Sequence, residues 1–395
     1  MKKVVAFGIA LILCISSAVG LHLYSKKRIH SDSNAFASWT ADSKFGSRDA
    51  ILENINENTV LAFGSSEFQH GKNTPYHPRQ VFQKTTFNMM LLGSAYYQSL
   101  SHAVALASLG NNVPTKQAVL FISPPWFDKK GVLPEAYSSR FSETHYIAML
   151  KNPKISDKTK QYIINRTLKL LKADPSSKKR AELYERVLYT KDASLLDKVN
   201  YKLYTQFLAE KELQSVSVGL TKDRIKQFSK KIKELSPEPD FSSLIERAEK
   251  DGESHNSTNP FYMDDKIFLK KIHPLMKRKK NENIHGNYNT SPEYDDLKCF
   301  LEVCRELEIK PLLVSLPVNG YWYDHTGFPK KARQEYYSNI RKIASEYGAS
   351  LADFSNQEYT KYFFEDGIHI GKKGWVMVNE SIYNFYQENK TDKTL

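Results

Sequence analysis

Three short apolar runs in the first third of the chain, at residues 60–63, 87–92 and 118–122, read as buried strands. They are continuous rather than alternating, and turn-forming residues bound them. Between the second and third, residues 98–109 carry apolar positions at helical spacing. The same alternation returns near the end: a helix over 297–307, a strand over 311–316, a helix over 331–347, a strand over 351–354 and a last helix over 376–387. Strands alternating with helices predict an α/β fold with a mostly parallel sheet covered on both faces. Between these halves the pattern changes. Residues 135–290 are rich in Lys, Glu, Leu and Tyr, with helical spacing in AELYERVLYT and DRIKQFSKKIKEL, and predict a helical insertion. SPEPDFSS and DGESHNSTNP mark connections within it.

The N-terminus has a pattern of its own. Residues 4–24 contain no Asp, Glu, Lys or Arg, and Lys26, Lys27 and Arg28 follow. At about 1.5 Å per residue the stretch reaches across a hydrocarbon core of ~30 Å. It predicts an N-terminal membrane anchor over residues 1–28. A cleaved secretory signal is the competing reading, with Ala18-Val19-Gly20 as a weak small-residue site, but the uncharged stretch exceeds a typical signal core. Flanking charges are nearly balanced and leave the orientation open. Residues 29–57 read as a polar tether with a first short helix, so the body spans 29–395.

Bulk properties narrow the chemistry. The 395 residues, 41% hydrophobic and 12% aromatic, describe a folded body, not a disordered chain. The net charge of +13 comes from Lys and Arg spread along the sequence. Without an arm, finger or RNA-binding signature, a nucleic-acid partner is not expected. The charge suits an anionic partner such as phospholipid headgroups or a phosphate polymer, or is a solvated lysine-rich surface. Three cysteines offer no zinc spacing, and Cys299 and Cys304 point apart on their helix, so neither a metal nor a mutual disulfide is expected.

Candidate chemistry sits at two points. LAFGSSEFQH, 61–70, runs from the first strand into a Gly-Ser-Ser turn, and YFFEDGIHIGKKGW, 362–375, contains Asp366 three residues before His369. A carboxylate so placed can share a loop with the imidazole and fix its tautomer. Either motif alone is ordinary turn or capping chemistry. Together they flank the first strand and the last helix, which would put both at the carboxyl edge of the sheet.

The order and spacing resemble the SGNH or GDSL hydrolases. That resemblance implies a three-layer α/β/α fold, with Ser66 as nucleophile, His369 as base and Asp366 as its orienting acid. It implies an oxyanion hole from the N–H groups of Ser66 and Gly93. The third block departs from it: FISPPWF, 121–127, has no asparagine, and Gln98 is a candidate substitute. More specifically, GSSEFQH, His77-Pro78, GSAYYQSLSH at 93–102, ISPPWF, LPVNGYWYDHTG at 316–327 and DGIHIGKKGW resemble the DltD family of Gram-positive bacteria, which acts in D-alanylation of lipoteichoic acid. Membership implies an extracytoplasmic body on a single-pass anchor. It also implies lipoteichoic acid, the membrane O-acyltransferase DltB and the D-alanyl carrier DltC as partners, and acyl transfer through Ser66 without a cofactor. An anchored esterase or thioesterase and a non-catalytic docking protein are the alternatives. His102 is a substrate-positioning or structural histidine. Trp126, with Trp322 and Tyr323, would wall an acyl pocket or simply fill the core, and Asp324 would line the pocket.

Overall fold

The structure, a computed structural model, describes residues 2–29, 34–83, 85–110, 112–223 and 238–390. Apart from Asp223, the helix expected in DRIKQFSKKIKEL lies outside them, as does the start of SPEPDFSS.

The strands are β1 (Thr59–Phe63), β2 (Asn88–Leu92), β3 (Gln117–Ile122), β4 (Lys310–Ser315) and β5 (Ser350–Asp353). They form one sheet in the order β2-β1-β3-β4-β5, and every neighbouring pair is parallel. The principal helices are α1 (Lys2–Ile29), α2 (Ser99–Leu109), α3 (Pro134–Arg140), α4 (Glu143–Lys151), α5 (Asp157–Leu170), α6 (Pro175–Glu185), α7 (Leu195–Lys222), α8 (Phe241–His255), α9 (Glu293–Glu306), α10 (Gly320–His325), α11 (Lys330–Tyr347) and α12 (Lys372–Glu388).

A parallel sheet needs crossover helices, and these cover both faces, leaving β1 and β3 buried along their whole length while the edge strand β5 is half-exposed. The period-two alternation of each strand divides its side chains between two cores. Leu61, Phe63, Met90, Leu92, Leu120, Ile122 and Leu313 join residues of α2, α9 and α11. Val60, Ala62, Met89, Leu91, Val119, Phe121, Leu312 and Val314 join Trp375, Val378 and Ile382 of α12 and Ala248 of α8. The result is the expected α/β architecture with helices on both sides of a mostly parallel sheet.

Strand order reverses at β1, with β2 on one side and β3 on the other. Open α/β sheets bind ligands at such a point, beyond the carboxyl ends of the strands. The Gly64-Ser65-Ser66 turn leaves β1 there.

Between β3 and β4 the principal elements are helices, and they reach both faces of the sheet. α4 packs on α2, whereas α8 packs on α12 across the sheet. Helix α9 starts at Glu293, before the apolar stretch that predicts it, because its first turn buries carboxylates. Glu293 accepts the N–H of Ser99 (2.9 Å), supplying the start of α2 with a cap that Gln98 does not provide. Asp296 accepts from Arg166 Nε and Nη2 (both within 3.1 Å) and from Tyr162 (2.7 Å). Cys299 and Cys304 are free and buried in this helix.

Helix α1 is long and apolar enough to cross a membrane. Only Ser25 and Ile29 are buried, at the end where it meets the body. There His22 Nδ1 lies 2.7 Å from Glu210 of α7, and Ser25 donates to Gln214 (2.9 Å).

Candidate active site

The serine turn is built by two backbones in close approach. Gly64 N–H donates to Leu92 O (3.0 Å) at the ends of β1 and β2. Gly93 follows with φ +138°, and a Cβ there would lie 1.8 Å from the Gly64 carbonyl oxygen. Only glycine satisfies both conditions. Beyond Gly64, Ser65 N–H donates to the buried Glu67 carboxylate (2.7 Å), and Ser65 Oγ donates to Ser94 O (3.2 Å). These bonds turn Ser65 inward and leave Ser66 to open a single 3-10 turn, Ser66–Gln69. Burial raises the pKa of Glu67, opposed by the charge of His369 and by the N–H groups it accepts.

The acid–histidine loop is a closed hairpin. Phe364 and Ile370 form an antiparallel bridge, and Glu365 N–H donates to His369 O (2.9 Å). Within it Asp366 Oδ1 accepts the N–H groups of Ile368 (2.9 Å) and His369 (2.8 Å). Its Oδ2 lies 2.8 Å from His369 Nδ1, and His369 Nε2 lies 2.8 Å from Ser66 Oγ. Gly367 tucks beneath Trp322 of α10, where a Cβ would lie 2.6 Å from the indole ring.

The electrostatics follow from that geometry. Burial alone would raise Asp366, but the hydrogen bond and charge of His369, with the two N–H groups, hold it down to about 2. Burial alone would lower His369, but the bond and charge of Asp366, with Glu67 and Glu365 nearby, raise it above its ordinary value. An imidazole so supported can take the Ser66 proton and carry the resulting charge.

Sequence reasoning assigned no role to His70, although it belongs to the serine motif. Its ring stacks on His369 with centroids 3.6 Å apart and planes 10° from parallel. Its Nδ1 lies 3.3 Å from Glu365. The carbonyl of His70 accepts the indole N–H of Trp375 (3.1 Å), tying the serine turn to α12. Donor atoms of His70, Asp366 and His369 lie within 4.8 Å of one another. They could hold a cation, which would compete with the bonds linking Asp366, His369 and Ser66.

The remaining expected residues stand apart from this relay. Gln98 precedes α2, with Oε1 buried and unpartnered. His102 is fully buried beside the rings of Phe45, Phe63, Tyr97 and Trp126, and burial lowers its pKa to about 3. It is therefore a neutral ring in the core under the turn. Trp126 is buried in that same cluster. Asp324 accepts from Arg333 Nη2 (2.9 Å) and Tyr359 OH (2.8 Å), in a network with Glu358 behind the loop. None of the four hydrogen-bonds to Ser66, His369 or Asp366. The short helix after β3, Pro124–Phe127, carries no side-chain amide.

Comparison with known proteins agrees with this body. The family model described as "DltD protein" matches residues 37–387, nearly all of the chain outside α1. The chain belongs to the DltD family. It is 32% identical over 332 residues to Protein DltD of Bacillus subtilis (strain 168), covering 83% of this chain and 82% of the relative. Protein DltD of Staphylococcus aureus is 29% identical over 326 residues, covering 81% and 79%. Protein DltD of Lacticaseibacillus rhamnosus is 25% identical over 344 residues, covering 86% and 80%.

Proposed function

We propose that this DltD-family protein is a membrane-anchored serine acyltransferase that passes D-alanyl groups to lipoteichoic acid. The observation that carries the reading is the continuous relay from Asp366 through His369 to Ser66, two contacts of 2.8 Å at the carboxyl edge of a parallel sheet. Helix α1 anchors the protein, and the body lies outside the cytoplasmic membrane. The donor is an activated D-alanyl ester or thioester, charged through the DltC carrier and delivered by the membrane acyltransferase DltB.

The reaction proceeds in two halves. His369 Nε2 takes the Ser66 proton as Oγ attacks the D-alanyl carbonyl. Collapse of the adduct breaks the bond to the donor's oxygen or sulfur, which leaves with the proton from His369. A polymer hydroxyl then gives its proton to His369 and attacks the Ser66 ester, and Oγ recovers the proton as the new ester forms. In each half the N–H groups of Ser66 and Gly93 hold the developing oxyanion, each such donor being worth about 3 kcal/mol. Asp366 keeps Nδ1 protonated throughout and stabilises the imidazolium that forms each time Nε2 holds the transferred proton.

The decisive experiment measures base-labile D-alanine on lipoteichoic acid in cells carrying Ser66→Ala at matched membrane levels. Loss of D-alanine is the expected result. An excess would identify an esterase that trims the polymer, and no change would identify a docking protein.

A further inference from the structure

Helix α7 leaves an apolar stripe uncovered. Leu195, Leu196, Val199, Leu203 and Phe207 are each more than half exposed. The i, i+4 steps from 195 to 207 set them on one face of the helix. That face continues at i+3 and i+4 into Glu210 and Gln214, the residues that meet His22 and Ser25 of α1. Contacts advance together along the two chains, 22 with 210 and 25 with 214, so the helices run in the same direction. The stripe therefore extends from the junction back toward the side from which α1 comes. Its far end is fifteen residues before Glu210, about 22 Å along the helix.

Helix α1 shows what lies on that side. Val4, Phe7, Ile12, Leu13 and Leu23 are likewise more than half exposed, and the helix is uncharged from Val4 to Tyr24. The two helices do not cover each other there, since burial in α1 is confined to Ser25 and Ile29. Beyond the shared junction both carry exposed apolar surface. Lys198 and Lys202 border the stripe of α7, while the Asp197 carboxylate turns away to accept from Ser194 Oγ and Arg186 Nη2. An apolar face edged by lysines is the pattern of a helix segment that seats its face in a membrane interface while the lysines reach out to the headgroups.

We propose that the N-terminal half of α7 is a second membrane contact, seating Leu195, Leu196, Val199, Leu203 and Phe207 at the acyl-chain boundary of the leaflet from which α1 emerges. Lys198 and Lys202 reach the headgroups. Two points of attachment stop rotation of the body about α1 and fix the height of the Ser66 turn above the bilayer. The inference rests on the reading of α1 as an anchor.

The test uses the full chain in phosphatidylglycerol–phosphatidylcholine vesicles with and without acyl-chain bromine. Leu203→Trp and, separately, Phe207→Trp add an indole at exposed positions. Ile12→Trp reports on α1, and the four native tryptophans give the background. The expected result is that all three added indoles lose most of their emission in brominated vesicles. Quenching at Ile12→Trp without quenching at either α7 position overturns the α7 contact alone and leaves the face to a protein partner. No quenching at any of the three overturns the anchor and the α7 contact together.

Discussion

Two clusters of charge flank the 363–371 loop, and they are finished differently. Behind it, Arg333 is 1% exposed and Glu358 3%. The guanidinium donates to both Glu358 oxygens, to Asp324, to Tyr359 and to the Phe328 carbonyl, so little of its bonding capacity is left over. In front, Asp366 is equally well bonded, but His369 ends on one hydroxyl, Ser66 Oγ. Its ring faces are set by His70 on one side and its Nδ1 by the carboxylate, so only Nε2 is free to exchange its partner. The comparison separates bonding that holds a fold from bonding that a reaction can replace. A saturated network has nothing to offer a substrate, whereas a relay ending on a single exchangeable bond does.

Exchanging one group in each cluster should therefore give opposite results. Asp366→Asn keeps an oxygen for the N–H groups of Ile368 and His369, so the loop stands while the imidazole loses its charge partner. Transfer activity is expected to fall by roughly 10⁴-fold, with a modest drop in melting temperature from the lost ion pair. Equal loss of stability would show that the carboxylate serves the fold first. Arg333→Met reverses the pattern. It leaves Glu358 buried without its cation, at an expected cost of about 3–5 kcal/mol in urea unfolding, while the folded fraction keeps its turnover. An unchanged urea midpoint would sink the idea that this pair carries stability.

A smaller effect is expected from pH. On the proposed mechanism His369 acts as a base only when neutral, and its raised pKa is expected to move the rising limb of the activity profile above pH 6.5. Stability runs the other way. The raised group contributes fully below its unfolded pKa, and that contribution fades as pH rises through the folded value. Asp366 contributes above the ordinary carboxylate range and loses its share only as pH falls toward about 2. A rising limb at or below pH 6.5 would mean that Asp366 does not govern the imidazole.

The sequence carried the strands well because continuous apolar runs between turn residues leave little choice of boundary. The run at 87–92 forms a strand at Asn88–Leu92, and that at 118–122 one at Gln117–Ile122. Helix starts were less legible. Glu293, Asp295 and Asp296 open α9 as acids, and periodicity cannot distinguish a buried carboxylate with an arginine partner from a solvated one. The helices between β3 and β4 were recognisable as helices, but their division between two faces depends on contacts far apart in sequence. In the site, Ser66, Asp366 and His369 could be read because each stands next to a boundary of the α/β pattern. His70 could not, since a stack is a relation between planes and leaves no spacing to find. His102 and Trp126 were visible as residue types, while their burial together was not.

Ser66 and His369 meet across 303 positions of chain. Helical turns close within microseconds, but a pairing so distant must wait for the intervening chain to condense. The indole of Trp375 clasps the carbonyl of His70, so the docked last helix holds the serine turn beside the His369 loop. On the proposed acyl-transfer reading, a nascent chain exposes its serine early but has no base for it until synthesis has passed His369 and the final helix, and a C-terminally clipped copy is expected to be inert. On that reading, reactivity comes at the end of assembly, as a seal on chains that have folded completely.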